Sequence, residues 1–408
     1  MFKRIILLTF SILIAAVVAV AQKKDIATAK DMVKNNRDLE KAEMMMRTLL
    51  KDSVNRENVK IWNVLFDAVK KQYDNGNEQL YLKNKYDTAQ LFINARKMFE
   101  VYEAFDSVDA APDSKGIVRP KMRKKHSEFL LPYRKNLFTG GLFFVHKQNF
   151  SEAYRMFDVF ISGASHPLFS GYKGFKDDRN MGKAAYMALF CGYKLNDVAK
   201  TMRYLDMAMS DTANMNNKCQ YLAEIYITAN DSTKYVETLE KGFSLYPRSM
   251  YYFPRLFDYY FDRHNDLPKS LSLCDEALKA DSTNMVFLLA KSSVLLRQDC
   301  YDECIKICDS LIARNDSLAD AFLNAGLAFY NQAVKLGSNI VEARKHRASQ
   351  KALYRQSLPY MQRYRELAPE AKSKWGVPLY TIFLNLNKGK EFEEMDRLLK
   401  ETKQSDAK

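Results

Sequence analysis

Glycine and proline are scarce in this chain, 14 and 10 among 408 residues, and no segment stands out as alternating apolar with polar residues. Strands and tight hairpin turns need those signals, so a β-rich fold is excluded. Histidine is rare too. His126, His146, His166, His264 and His346 are dispersed, and none pairs with another ligand type at the helical spacings that metals use. No Gly-x-Ser-x-Gly elbow occurs, and no phosphate loop ends in Gly-Lys-Ser/Thr. Gly140-Gly141 precedes no such lysine and is explained by close helix packing. No local signature of catalysis, cofactor or metal is left, so an enzyme would need a site gathered from distant segments. Past residue 21, no apolar run approaches the ~20 residues that cross a bilayer.

At the N-terminus, Lys3 and Arg4 precede an apolar run, Ile5 to Val18, broken by Thr9 and Ser11. Ala19-Val20-Ala21 then has the small-x-small form of a signal-peptidase site, so residues 1–21 are expected to be a cleaved export signal and Gln22 the mature start. The run is short for a membrane anchor, and no cysteine follows it to carry a lipid. A periplasmic location follows, with membrane association left open. Removing Lys3 and Arg4 takes the formal charge from +14 to +12. An exported protein does not routinely meet nucleic acid, so this positive charge points to acidic envelope polymers, anionic headgroups or an acidic protein, or simply to a solvated surface.

A period of 34 organises the rest. Ala185, Ala188, Leu189 and Gly192 are followed 34 residues later by Cys219, Leu222, Ala223 and Tyr226. Thr201, Leu205 and Ala208 are followed in the same way by Tyr235, Leu239 and Gly242. Leu205, Leu239, Cys274 and Cys308 lie 34, 35 and 34 apart, in step with Ala208, Gly242, Ala277 and Leu311. Within a unit, Cys219, Leu222, Ala223 and Tyr226 fall on one face of a first helix, and Tyr235, Leu239 and Gly242 on one face of a second. Pro247 ends the unit, because proline cannot continue a helix.

These residues resemble the tetratricopeptide repeat family. Phe322-x-x-Ala325-Gly326-x-x-Phe329 mirrors its Trp-x-x-Leu-Gly-x-x-Tyr, and Gln298 to Ile305 is similar to its inter-helix turn, with Cys304 in place of alanine. Looser copies are Gly141, Phe144, Phe150, Ala153 and Phe157, and Trp62, Leu65, Phe66 and Val69 followed by Tyr86, Ala89 and Phe92. Partial copies are Leu39, Ala42 and Met46 at one end and Trp375, Gly389 and Phe392 at the other. The expected fold is all-α, an α-solenoid of about seven helical hairpins stacked so that each buries its neighbour's apolar face. Similar exported repeat proteins are common in Bacteroidetes-type bacteria, and the Tyr-, Lys- and Asn-rich composition is in keeping.

Departures from the period suggest boundaries. Expected segments are hairpins over 22–110, a basic linker over 111–135, a hairpin with a loop insertion over 136–180, a central array over 181–334, hairpins with an insertion over 335–400 and a polar tail over 401–408. The loop holds Ser162, Gly163, His166, Pro167, Gly171 and Gly174. The 335–350 insertion contains Gly337-Ser338-Asn339 but otherwise looks helical, so it lengthens its hairpin.

Six cysteines in an exported chain invite a disulfide or metal reading, and Cys300, Cys304 and Cys308 stand four apart. The register favours packing: Cys219, Cys274, Cys304 and Cys308 face the hairpin core, and Cys191 abuts Gly192. Cysteine packs as a small hydrophobe.

Two surface features rise above background. Arg119, Lys121, Arg123, Lys124, Lys125, Arg134 and Lys135 stand against a single Glu128, a footprint for peripheral contact with an anionic membrane or envelope polymer, or only a solvated segment. Aromatics also crowd residues 251–261, where the register gives Phe253, Phe257 and Tyr260 to the core and leaves Tyr251 and Phe261 on another side. The resemblance implies that first helices line a concave binding face. That face would carry Tyr221, Glu224, Arg255, Phe261, Arg297, Asn324, Tyr330 and Asn331, with Tyr251 beside them. Asn324 alone matches the carboxylate clamp of some relatives; Leu289 and Ser293 stand where that clamp needs a basic residue and an asparagine. The expected function is an exported scaffold that binds a protein or peptide in the envelope without catalysis. The alternatives are a glycan or cell-wall-fragment binder, with Tyr251, Phe261 and Tyr330 as stacking platforms, and an enzyme with a nonlocal site.

Overall fold

The computed structural model describes residues 22–337 and 345–405. The expected export signal lies outside those residues, as do part of the 335–350 insertion and the end of the tail. The chain divides into two compact units, Met1–Tyr235 and Val236–Lys408.

The first unit opens with a helix over 22–34 (α1), followed by α2 Leu39–Leu49, α3 Val59–Tyr81 and α4 Thr88–Asp109. Then come α5 Arg123–Leu130, α6 Arg134–His146, α7 Phe150–Ser162, α8 Asn180–Lys194, α9 Val198–Met202, α10 Leu205–Ser210 and α11 Met215–Thr228. α12, Ser232–Leu245, carries the chain across the division. The second unit continues with α13 Tyr252–Phe257, extended by a π-helical turn Asp258–Arg263, then α14 Leu267–Ala280, α15 Met285–Arg297 and α16 Tyr301–Arg314. It ends with α17 Ala319–Leu336, α18 Arg347–Leu367, α19 Lys372–Asn385 and α20 Gly389–Ser405. Among the described residues there is no strand, and no helix is long and apolar enough to cross a membrane.

Consecutive helices pair. α1/α2, α3/α4, α6/α7 and α8 with α9–α10 pair in the first unit, and α13/α14, α15/α16, α17/α18 and α19/α20 in the second, eight pairs within the units among the described residues, where about seven hairpins were expected for the chain. The surplus lies at the two ends, where a few motif residues each anchor a full pair: Leu39, Ala42 and Met46 are buried in α2, and Trp375 in α19.

Burial follows the 34-residue register. Ala185, Ala188, Cys219, Ala223, Leu239, Cys274, Ala277, Cys308 and Leu311 are all completely buried. Proline behaves as expected at the end of α12, with Pro247 just beyond Leu245. The hairpin carrying the 335–350 insertion is long, with helices of 18 and 21 residues.

One turn device recurs between paired helices. Asn36, Lys83, Gln148, Asn196, Asn230, Asn265, Asp299 and Asn387 all take the left-handed conformation with φ of 49–60°. Around Gln148, Asn196, Asn230, Asp299 and Asn387 two backbone bonds close the preceding helix. In the Asn230 turn they are Asn230 N–H to Ile227 O at 3.0 Å and Asp231 N–H to Tyr226 O at 2.9 Å. The next residue often caps the following helix, as Asn149, Asp197 and Asp266 do through their side chains.

Three expectations need correction. Residues 123–130 of the expected basic linker form α5, because His126 and Leu130 face inward, 3% and 0% exposed, and make an amphipathic helix of it. His126 lies flat on Tyr102 (centroids 3.7 Å apart, 5° between planes), and Tyr102 in turn on Phe66 (3.6 Å, 8°). The expected loop at 162–174 is a set of short 3₁₀ turns, Gly163–Ser165, Pro167–Phe169 and Gly174–Asp177, whose Leu168, Phe169 and Phe175 are buried. In the second helix of the Trp62 unit, Tyr86 precedes α4 and Phe92 is half-buried; the core instead takes Leu91, Ala95, Met98, Phe99 and Phe105.

Candidate binding surfaces

In the second unit, most residues expected on a binding face are engaged within the fold. The Arg255 guanidinium lies 3.8 Å above the Tyr251 ring and donates to the Tyr251 carbonyl at 2.9 Å. Arg297 repeats the arrangement, 3.7 Å above Phe261 and donating to its carbonyl at 2.9 Å. Asn324 is 7% exposed and donates to Ser292 Oγ at 2.9 Å and Ser293 Oγ at 3.0 Å. Tyr330 and Thr381 hydroxyls bond at 3.4 Å, and Asn331 is half-buried. In the first unit, Tyr221 stacks on Tyr193 (4.5 Å, 18°), burial pushes its phenol up to about 12, and Glu224 is half-buried beside it.

Phe261, expected on an open side, is only 6% exposed and stacks on Phe257 at 4.7 Å. The cause is the π-helical turn. One repeat is 35 residues long, and Asp258–Arg263 absorbs the extra residue. Before the turn, the buried Cys219 and Leu222 map 34 residues on to the buried Phe253 and Leu256; within it, the buried Ile225 maps 35 on to the buried Tyr260, and the half-buried Tyr226 on to the buried Phe261, so the buried face rotates by one position. An expectation built on an unbroken α-helix therefore misplaces Phe261.

The basic stretch of the first unit has a different fate. Arg123 is bound to Asp106 through Nε and Nη2, both at 2.8 Å. Arg134 is buried, paired with Asp178, donating to Phe160 O at 3.1 Å and sandwiched between the rings of Phe160 (3.6 Å) and Phe175 (4.4 Å). Arg119, Lys121, Lys124, Lys125 and Lys135 remain exposed. Of these, Lys124 lines a cleft of about 450 Å³ with Pro120, Arg123, Glu128, Leu131, Gly171 and Tyr172, and it reaches the Glu128 carboxylate at 3.9 Å. Tyr172, 45% exposed, stands edge-on to Phe175 at 4.7 Å and also walls a second pocket, of about 380 Å³, with Lys135 and Phe138. Neither pocket was visible in the sequence, because the 163–178 turns that form one wall read there as a loop.

The left-handed residues Asn196, Asn230, Asn265 and Asp299 repeat at 34, 35 and 34, the steps of the core positions. At the best-formed crossing, a Cβ on Gly326 would come within 2.6 Å of Met361 Sδ and 3.3 Å of Tyr360 Cβ, so a small residue suits the close approach of α17 and α18. Period, paired helices, turn and small-residue crossing coincide. The chain is built of tetratricopeptide-like repeats.

No family model matches this repeat chain, and no curated protein does. Solved structures are similar to parts of it. PilW, described as a widely conserved type IV pilus biogenesis factor, shares 17% identity, covers 54% of this chain and 93% of its own, and gives a TM-score of 0.34. The C-terminal part of a TPR repeat-containing protein from Cytophaga hutchinsonii shares 11% identity over 63% of this chain and 92% of its own, with a TM-score of 0.40. A TPR repeats protein from Bacteroides fragilis shares 16% over 63% and 97%, with a TM-score of 0.33. Likenesses this distant add nothing to the chain's own repeat geometry.

Within the repeats, five cysteines pack as core and Cys300 is exposed; all six are free thiols. Burial pushes Cys191 and Cys274 up to about 12, and Cys304, hydrogen-bonded to Cys308 and buried, is raised as well. Such thiols are poor nucleophiles and poor metal ligands. Among the described residues, no three His, Cys, Asp or Glu side chains are grouped to hold a metal ion.

Proposed function

We propose that this is an exported, non-catalytic adaptor that holds a protein or peptide partner in the bacterial envelope. The observation that carries the reading is the basic-rimmed cleft at α5. An apolar wall with one open aromatic ring, with Arg123 and Lys124 against a single Glu128 in the cleft and Lys135 in the adjoining pocket, suits an acidic segment anchored by a large side chain. Aromatic anchors supply affinity in such contacts, and rim charges supply steering and selectivity. The Ala19-Val20-Ala21 sequence supports export, with Gln22 as the mature residue.

The test replaces Tyr172 with a photoreactive phenylalanine analogue and crosslinks in intact cells. A discrete protein adduct in the envelope fraction is expected. Its yield should fall several-fold when Lys124→Glu and Lys135→Glu are combined. A glycan adduct would replace this reading with the cell-wall-fragment one, and N-terminal mass spectrometry finding Met1 intact would remove export.

A further inference from the structure

A second surface of the first unit is polar and carries an unanswered hydrogen-bond donor. α2 and α4 flank a groove floored by α3, with adjoining pockets of about 530 and 440 Å³ that share Glu40, Gln72 and Gln90. Its charge is already arranged. Glu43, 5% exposed, accepts from Arg47 Nε at 2.8 Å, Gln72 Nε2 at 2.9 Å and Lys97 Nζ at 3.0 Å. Burial alone would raise its carboxyl, but Lys97 and the hydrogen bonds hold it below the ordinary range.

The amides of the groove are oriented by their partners. A carboxylate only accepts, so Gln72 must present its NH₂ to Glu43 and keep its carbonyl oxygen as an acceptor. Asn36 and Asn75 exchange two hydrogen bonds across the groove end, at 3.2 and 3.0 Å. Gln90 donates to Asn94 Oδ1 at 2.9 Å. Asn94 lines the groove, is completely buried, and its Nδ2 has no partner among the described residues. Buried donors are rarely left unpaired, and an exception calls for an acceptor supplied by water or by a bound ligand.

We propose that this groove binds an extended peptide through its backbone, with Asn94 Nδ2 donating to a peptide carbonyl and acidic side chains lying over Arg47 and Lys51. Primary amides both donate and accept, as the peptide backbone does along its length. From Leu39 to Leu49 the helix climbs about 15 Å at ~1.5 Å per residue, and with the flanking Asp38 and Lys51 the groove gives room for about five or six extended residues. Along that line the charge shifts: Asp38 and Glu40 outnumber Lys41 at one end, and Arg47, Lys51 and Lys97 outnumber Glu43 at the other. Met44, 63% exposed between them, offers an apolar contact. A sugar is less suited, because Tyr86 is the one aromatic side chain lining the two pockets and its ring is packed against Gly76. The site is flanked by second helices of two hairpins, apart from the first-helix face on which the sequence placed binding. It rests on the adaptor reading for its occupant's class but not for its location.

The test titrates the full chain into fluorescein-labelled, end-capped hexapeptides that alternate serine and alanine and carry two glutamates at one end. Saturable binding is expected, weakened at least tenfold by backbone N-methylation, by two lysines in place of the glutamates, or by Asn94→Leu. The same Asn94→Leu chain should melt no lower than the parent, since an unpaired buried donor has been removed. A merely structural asparagine would give the opposite pair of results. Should Asn94→Leu not fold, Asn94→Ala, which only deletes atoms, carries the test. Binding unchanged in the Asn94 variant overturns the proposal, as does saturation by chitotetraose without any hexapeptide binding. Loss of peptide binding only in the combined Lys124→Glu and Lys135→Glu chain would move the peptide to the α5 cleft, ending this proposal while leaving the adaptor reading intact.

Discussion

Glu103 shows how much one side chain in a helix interface can tell. It lies on α4 with Oε1 buried and unpartnered among the described residues. Burial first, then the charges of Glu100 and Asp158, raise its carboxyl from 4.5 to about 8. The folded chain therefore holds this proton more tightly than the unfolded chain. Its contribution to stability is fully present below pH 4.5 and is lost as pH rises through about 8. Glu103→Gln keeps the shape and removes the titration. The variant should match the parent at pH 5 and exceed it at pH 8 by about 1–2 kcal/mol, allowing for partial solvent screening. Urea midpoints at the two pH values decide; parallel profiles would dismiss the effect. Nothing in the sequence announces this residue, because a glutamate three after another reads as a solvated helix face. Lys218 is similar. It is completely buried, and its Nζ donates to Ala208 O and Asp211 O, both at 2.6 Å, closing the end of α10. Such roles depend on a neighbouring element, and single-chain periodicity carries no information about neighbours.

At the scale of elements, what was legible was whatever repeats. The 34-residue spacing placed Cys219, Leu239, Cys274 and Cys308 in the core, where they are. Also legible is the turn: Asn196-Asp197, Asn230-Asp231 and Asn265-Asp266 pair a left-handed residue with the side chain that opens the next helix. Asparagine tolerates that conformation, whereas a β-branched residue does not. Asn230→Val should cost about 1–2 kcal/mol, while Asn230→Gly stays within about 0.5 kcal/mol. Equal denaturation midpoints for the two would remove the turn from the account. Illegible was the π-helical turn, since an extra residue in a helix has no composition of its own and shows only as a step of 35. The basic 123–130 segment was misjudged because its two inward residues, His126 and Leu130, are outnumbered by charge.

For the whole molecule, the division after Tyr235 predicts how damage spreads. Gly326 meets Met361 Sδ and Cγ at a virtual 2.6 and 2.9 Å, and its carbonyl accepts from Ser357 Oγ at 2.7 Å. Gly326→Leu must part α17 from α18, and overpacking of this kind costs about 1–3 kcal/mol. Repeats lean on their neighbours, so hydrogen exchange should rise from about Met285 to Tyr364 while Trp62 to Phe99, in the other unit, stays protected. Asn331→Leu, half-buried on the same helix, is the control and should stay within about 0.5 kcal/mol. Silence in the first variant and unfolding in the second would mean the register of α17 is wrong.

The cysteine pattern also has a practical side. Five thiols are enclosed and one, on the turn before α16, faces solvent. A maleimide dye added to the native chain should therefore attach once, at Cys300, and six times after denaturation. The natural sequence thus comes with its own single-site attachment point, and a fluorophore there could report events in the second unit without any cysteine being added or removed. More than one dye per native chain would mean that a core thiol opens to solvent on the time scale of labelling.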